Sequence, residues 1–244
     1  MTVLILAGTA EARQLAEYCL SAKISAQASL SGATRKPMSL AVPTRHGGFG
    51  GVKEFKLFLK EKNISAILDV THPFASFITE RTFQVSQDLG LPMMRYDRPE
   101  WTRRRGDNWI FIKDESEATS YISPSSTVFL ATGRQSLVKF QDISKSRIYC
   151  RQIDPPEEPF PWLNGGFIIG RPPFSKPAER ALFLKLNIDV LIVKNAGGSA
   201  SRTKLDAARD LKLPVLMINR PPPTAAQTVR SLIEVKLWLD NLDL

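Results

Sequence analysis

The chain has 244 residues and a formal net charge of +9, and its hydrophobic fraction of 43% is enough for a folded core, which argues against disorder or a coiled coil. No apolar run approaches the roughly 18 residues of a membrane span, and the opening run Val3–Ala7 is shorter than the roughly 7–15 apolar residues of a secretory signal. We therefore expect a cytoplasmic protein that does not insert into a membrane.

Short apolar runs alternate with segments of helical periodicity in the first half of the chain. This alternation predicts an α/β fold, a parallel sheet with helices on both faces. Because proline favours the first helical position, we expect one helix to begin at Pro73. The expected strands are Val3–Leu6, Ala26–Leu30, Ala66–Val70 and Pro92–Met94, and the other expected helices are Glu11–Ser21 and Lys53–Lys62.

The second half repeats this order with more interruptions. Residues 95–107 and 154–161 fit no regular unit, and we interpret the first of these stretches as the crossing between two subdomains. The expected strands are Thr127–Ala131, Arg147–Cys150, Phe167–Ile169, Val190–Val193 and Val215–Ile218, and the expected helices are Pro177–Leu186, Ser201–Leu211 and Thr224–Leu239.

Ligands of open parallel sheets bind at the carboxyl ends of the strands, so the residues after each predicted strand are candidates for binding. In the second half, every predicted strand is followed by a cation. The arginines at the ends of the predicted strands stand in ones and twos, which favours a small polyanion over nucleic acid. The alternative is that these cations only mark the solvent boundary. Our predicted substrate-binding residues are Arg134, Arg151, Arg171, Lys194 and Asn195.

The first half offers a candidate cofactor site instead. Gly8 and Thr9 form a strand-to-helix turn of the kind that binds a pyrophosphate, although a plain tight turn would explain them equally well. The second strand is followed by Ser31–Lys36, which lacks the acid that binds the ribose in NAD sites, so the sequence favours NADPH. The predicted cofactor-binding residues are Gly8, Thr9, Glu11, Ser31, Gly32, Thr34, Arg35, Gly48, Thr71 and His72.

Three further features have a chemical and a structural interpretation. His72 is a candidate proton donor or a structural cap, and the glycine-rich segment 45–51 would let Phe49 stack on a flat ligand or would be a mobile linker. Cys19 and Cys150 stand far apart in a chain with two histidines, so we expect two reduced thiols and no metal site.

In chain order, the segments LILAGTAEARQLA, SLSGATR, RHGGFGG, DVTHPFA, RYDRPEW, LATGRQ, GRPPFS and VKNAGGSASRTKLDAARDLKLPVLMINRP resemble the motifs of the precorrin-6A reductase family of cobalamin biosynthesis over roughly residues 1–221. The resemblance implies two Rossmann-like subdomains with the active site in the cleft between them. It also implies hydride transfer from NADPH to the macrocycle of precorrin-6A, which gives precorrin-6B, without a metal or flavin. The family motifs fall on Gly8 and Thr9; on Ser31, Gly32 and Thr34; on Thr71, His72 and Pro73; and on Lys194, Asn195, Gly197 and Gly198.

Two positions depart from the family pattern. The opening turn has one glycine where many relatives have two, and Ala33 stands before Thr34 where relatives commonly place an arginine. The second departure leaves the contact to the 2′-phosphate open, and Arg35 is our substitute for it.

These observations assign residues 1–97 to an NADP-binding subdomain, with the C-terminal helix 224–244 as a candidate addition, and residues 98–223 to a substrate-binding subdomain. The expected partner is an acidic tetrapyrrole, and the expected state is a monomer or a weak homo-oligomer. One alternative is a reductase acting on the cobalt-containing substrate of the anaerobic pathway. A second is a non-catalytic NADP-binding module that senses redox state, and a basic nucleic-acid-binding protein is a third.

Overall fold

The chain forms two units, each around its own six-stranded sheet, in a computed structural model that describes residues 1–242. The first unit comprises Met1–Pro99 together with the chain from Pro221 onward, and the second unit comprises Glu100–Arg220. None of the described helices is both long enough and apolar enough to cross a membrane.

Strands and helices follow one another through both units, and each is numbered in chain order. The strands are β1 (Thr2–Leu6), β2 (Ala26–Leu30), β3 (Thr44–His46), β4 (Ile64–Asp69), β5 (Met93–Tyr96), β6 (Trp109–Ile112), β7 (Thr127–Leu130), β8 (Arg147–Gln152), β9 (Gly165–Ile169), β10 (Val190–Lys194), β11 (Val215–Ile218) and β12 (Thr228–Val229). The helices are α1 (Ala10–Ser21), α2 (Val52–Glu61), α3 (Ser76–Leu89), α4 (Lys176–Lys185), α5 (Thr203–Asp210) and α6 (Leu232–Asp240), with 3₁₀ helices at Glu115–Tyr121 and Arg134–Ile143.

Five strands of each sheet share one order, and a sixth strand is added at the same edge, the last strand of the chain in the first sheet and the first strand of the unit in the second. The order is β12-β5-β4-β1-β2-β3 in the first unit and β6-β11-β10-β7-β8-β9 in the second, and the paired strands run parallel. In each sheet one central strand, β1 or β7, has the next strand of the chain on one side and a later strand on the other. The order reverses at that point, which is where open α/β sheets bind ligands. The prediction of two Rossmann-like subdomains is confirmed.

Alternate residues of β1 build the two faces of the first sheet. Ile5 packs with Leu15 of α1 in one buried cluster, whereas Leu4 packs with Phe55 of α2 in another. Successive side chains of a strand point to opposite faces, so a run of apolar residues such as 3–6 requires cover on both sides. Both covering helices are amphipathic and supply it.

The helix expected to begin at Pro73 begins at Ser76 instead. His72 organises a turn before it, because its Nδ1 accepts a hydrogen bond from Phe74 N (3.2 Å) and its carbonyl accepts one from Ala75 N (2.7 Å). These bonds hold the amides that would otherwise open a helix, so Pro73 lies in the turn.

The helix expected over 224–239 is also shorter than predicted. Its first part forms β12, which pairs with the edge of β5 through Arg95 N to Gln227 O (2.8 Å) and Asp97 N to Val229 O (2.9 Å). The helix α6 then begins after Ser231, which caps it together with Glu234. Residues 243 and 244 of the C-terminal helix predicted for 224–244 lie outside the described residues.

The sequence analysis did not predict β3, β6, β12 or either 3₁₀ helix. Both β3 and β12 are only two or three residues long, and they lie at opposite edges of the first sheet. Short edge strands with polar residues carry little periodic signal. Pairing with the neighbouring strand, rather than their own sequence, places them in the sheet.

The two thiols are expected to be unreactive in the folded protein. Cys19 and Cys150 are both buried, and burial raises the pKa of Cys19 to about 11 and that of Cys150 to about 12. Because the thiolate is the reactive form, a disulfide reagent at pH 8 should titrate neither cysteine in the native protein and both after unfolding in guanidinium. Rapid reaction of one thiol in the native protein would contradict this burial.

Candidate functional site

The first turn of α1 lies at the reversal point of the first sheet. Thr9 caps this helix, since its Oγ1 accepts a hydrogen bond from Ala12 N (3.2 Å), and the same hydroxyl donates to Val70 O (2.8 Å) at the end of β4. Gly8 precedes it with φ of 134°, a conformation that side chains disfavour. The turn therefore presents the positive end of α1 beside the carboxyl ends of the paired strands β1 and β4.

Glu11 lies in the same helical turn and is paired with a cation. Its Oε2 is 3.0 Å from Arg98 Nη1, and both side chains are largely buried. Together with Thr9, Thr71, Tyr96 and Pro73, this pair lines a narrow recess. The sequence analysis missed Arg98 as a site residue, although it stands in the quoted motif RYDRPEW.

A buried ion pair supports the end of β4. Asp69 is fully buried and accepts hydrogen bonds from Arg95 Nη1 (2.8 Å), Thr79 Oγ1 (2.6 Å) and Thr71 N (2.9 Å). Arg95 was expected to follow a strand, but it lies within β5 and is buried. The carboxylate therefore fixes the backbone that carries Thr71 and His72.

Thr71 and His72 extend from this support. Thr71 Oγ1 is buried and makes no hydrogen bond within residues 1–242. His72 is half-buried, and its Nδ1 accepts the amide of Phe74. A neutral imidazole in this arrangement carries its proton on Nε2, where it can donate a hydrogen bond.

The turns after β2 and β3 form the remaining part of this sheet edge. Ser31, Gly32 and Arg35 are exposed and Thr34 is half-buried. Gly47 N donates to Leu30 O (2.9 Å), so the two turns lie side by side.

Arg45 holds the glycine-rich segment 45–51. Its guanidinium donates to the carbonyls of Gly47 and Gly48 (both 2.8 Å) and lies 4.1 Å from the ring centre of Phe49. The expectation that Phe49 stacks on a ligand is wrong, because this ring is buried and lies 4.3 Å from that of Phe55. Gly48 itself is exposed beside the turn.

Arg151 does not follow a strand as expected, because β8 continues to Gln152. Its two terminal nitrogens bind the buried carboxylate of Glu179 at 2.7 and 2.8 Å. The guanidinium also lies 4.8 Å from the ring centre of Phe129 and 4.2 Å from that of Phe174. This arrangement leaves little of the cation for a ligand.

Asn195 is buried and its amide is saturated by the segment that opens the second unit. Its Oδ1 accepts Trp101 N (2.9 Å), and its Nδ2 donates to Glu100 Oε2 (3.0 Å) and Trp101 O (3.4 Å). Arg220 Nε donates to the carbonyl of Asn195 (2.9 Å). Asn195 thus bonds to residues at both ends of the second unit. The sequence analysis did not predict this structural role.

The other predicted cations differ in their partners. Lys194 ends β10, where burial lowers its pKa and Glu115 Oε1 lies 3.8 Å from its Nζ. Arg171 is exposed, with Asp154 Oδ1 4.0 Å from its Nη2. Arg134 opens a 3₁₀ helix after β7, is exposed, and forms no hydrogen bond or ion pair with any described residue. Its guanidinium is therefore available to a ligand.

No cluster of three or more His, Cys, Asp or Glu side chains suited to a metal ion occurs among residues 1–242.

Comparison with known proteins gives one consistent family. The family model described as "Precorrin-6x reductase CbiJ/CobK" matches residues 2–240. A precorrin-6A reductase from Rhodococcus erythropolis is 38% identical over 98% of both chains, and a cobalt-precorrin-6A reductase from Priestia megaterium is 26% identical over 90% of both. The solved structure of "CobK precorrin-6A reductase" superposes with a TM-score of 0.94 at 34% identity, covering 99% of this chain and 96% of that one. The chain therefore belongs to the precorrin-6x reductase CbiJ/CobK family.

Proposed function

We propose that this chain is a cytoplasmic enzyme that reduces the macrocycle of precorrin-6A to precorrin-6B with NADPH. Membership in a reductase family suggests a nicotinamide cofactor and implies a tetrapyrrole substrate. The observation that carries the proposal is the site at the reversal point of the first sheet, where Thr9, the first turn of α1 and Thr71 adjoin.

The residues at this point fit a dinucleotide. The amides of the first turn of α1 would bind the pyrophosphate, and Gly8 lets the backbone approach it. Thr71 Oγ1, which lacks a hydrogen-bond partner among the described residues, is a further polar group for the ligand. When bound, NADPH supplies the hydride. The chain itself holds the cofactor and presents His72, the predicted catalytic residue, whose Nε2–H would donate a hydrogen bond to the ligand.

The exposed turn after β2 supports NADPH over NADH. Residues 31–36 contain Arg35 and Lys36 but no carboxylate, so a 2′-phosphate would meet cations there rather than an acid. The turn after β3, with exposed Gly48, lies beside it.

We assign the substrate carboxylates to the second unit, with Arg134 as the principal contact and Arg171 and Lys194 as further ones. A charge-assisted hydrogen bond to a carboxylate is roughly twice as strong as a neutral one. Lys194 shares its charge with Glu115, so its contribution should be smaller. We leave Arg151 and Asn195 out of this set because the two terminal nitrogens of Arg151 and the side-chain amide of Asn195 are bonded within the protein.

The higher identity to precorrin-6A reductases than to cobalt-precorrin-6A reductases, 38% against 26% for the two named above, supports the metal-free substrate.

The test is turnover of precorrin-6A by the purified protein with each cofactor. We expect reduction with NADPH, and affinity for NADPH at least about tenfold higher than for NADH, or ~1.4 kcal/mol. Arg35→Ala should weaken NADPH binding and leave NADH binding nearly unchanged. Lys62→Ala, which removes an exposed cation after α2, is the matched control and should alter neither.

Three outcomes would contradict parts of this proposal. Equal affinities for the two cofactors in calorimetry would overturn the choice of NADPH. Turnover of only the cobalt-containing substrate would assign the chain to the anaerobic reaction. Cofactor binding without reduction of either substrate would favour a redox-sensing module.

A further inference from the structure

A cavity of about 390 Å³ lies within the second unit, between the 3₁₀ helix 134–143 and the proline-rich segment that follows β8. Its size falls within the usual range for small-molecule sites, roughly 300–1,000 Å³. Its walls are mostly apolar or aromatic, with Leu137, Trp162 and Phe167 among them, and Arg134 and Glu158 are its two charged residues.

The aromatic wall is built by contacts between rings. Phe160 meets Trp162 edge-to-face at 5.5 Å between ring centres, and it meets Phe167 in the same way at 5.0 Å. Such pairs favour fixed ring orientations, so the half-buried Trp162 is held against the cavity. A planar, electron-rich ring is the kind of ligand that such a wall accepts.

The charges of the cavity define the other half of the ligand. The guanidinium of Arg134 forms no ion pair or hydrogen bond within residues 1–242, whereas Arg151 and Lys194 are both paired to glutamates. Arg134 follows β7, so it lies at the carboxyl end of a central strand. Its fork of donors matches a carboxylate. The Glu158 carboxylate disfavours an anion beside it, so the acidic side chains of a ring would be directed toward Arg134.

We propose that Arg134 and this cavity form a subsite for one pyrrole ring of the substrate and its carboxylate side chain. The inference rests on the proposed function, since it takes the acidic tetrapyrrole as the substrate. Trp162 and Phe167 contact the ring, and Arg134 binds the carboxylate. The cavity thereby selects the orientation in which the macrocycle is bound.

The first experiment titrates the intact protein with porphobilinogen, a single pyrrole that bears an acetate and a propionate, while tryptophan emission is recorded. We expect a saturable change that is absent in Trp162→Phe, because that variant keeps an aromatic wall but removes the reporter. Arg134→Gln should weaken binding about tenfold. Arg147→Gln removes an exposed arginine at the opposite end of the same sheet, where β8 begins, and should bind like the wild type.

The second experiment measures steady-state kinetics with precorrin-6A. Arg134→Gln and Trp162→Ala should each raise KM about tenfold with little change in kcat or in NADPH affinity, and Trp162→Phe should restore most of the loss. If the wild type reduces precorrin-6A but both variants keep its KM and no emission change occurs, the subsite is wrong and the proposed function stands. If the wild type does not reduce precorrin-6A, the proposed function fails, and porphobilinogen binding that depends on Arg134 would still support a pyrrole site.

Discussion

Replacing Asp69 with alanine is expected to lower the free energy of unfolding of the first unit by about 3–5 kcal/mol. The carboxylate is fully buried and holds Arg95, whose side chain is only 8% exposed. Removing it leaves the buried arginine with only the longer contact from its Nη2 to Asp97 Oδ1 (3.9 Å), and a buried cation that loses its close partner is far more costly than a lost surface contact. Thr71 N also loses its acceptor, so NADPH affinity should fall together with stability.

The free energy of unfolding can be measured by urea denaturation. If the two units unfold separately, each gives its own transition, and the first unit's transition is the one compared. Asp88→Ala is the matched control. Asp88 pairs with Lys56 at 2.7 Å on the exposed surface of the same unit, and loss of this pair should change the free energy of unfolding little. Asp69→Asn keeps the size of the side chain and should be less damaging than alanine. If the alanine variants at 69 and 88 were equally stable, the buried pair would contribute nothing specific.

Arg151→Ala is expected to destabilise the second unit by a similar amount, about 3–5 kcal/mol, without a specific loss of substrate affinity. The guanidinium is only 10% exposed, and the carboxylate of Glu179 opposite it is 1% exposed. The aromatic rings of Phe129 and Phe174 also contact the cation, so alanine removes packing as well as charge. The variant leaves a buried carboxylate without its cation.

A double variant separates the ion pair from the packing. Arg151→Met combined with Glu179→Leu removes both charges and keeps most of the volume, so it should recover much of the lost stability, as replacement of buried pairs by apolar residues often does. Arg134→Ala should leave the unfolding transition unchanged, since its side chain is exposed. If Arg151→Ala were as stable as the wild type but had a raised KM for precorrin-6A, Arg151 would be a substrate-binding residue and the structural role would be wrong.

The alternation of apolar runs and helical segments was sufficient to predict nine of the twelve described strands, all except β3, β6 and β12. The consecutive apolar residues 3–6 of β1 need helices on both faces of the sheet. Both this apolar run and the helical periodicity of α1 and α2 are visible in short stretches of the sequence. The turn at Gly8 and Thr9 was predicted on the same local grounds, since a glycine and a capping hydroxyl at a strand end favour a helix start.

The partners of the polar residues could be found only in the tertiary structure. Glu179, which binds Arg151, stands 28 residues further along the chain, and β12 reaches β5 only because the chain returns to the first unit after residue 220. The local sequence around a cation at a strand is the same whether or not a distant glutamate pairs with that cation, so the pairing cannot be predicted from it. The sequence by itself therefore determined most strands of the two sheets and the residues that follow them. The tertiary structure decided that Arg151 is held by the protein and that Arg134 remains available, because burial and pairing depend on residues brought together from distant parts of the chain.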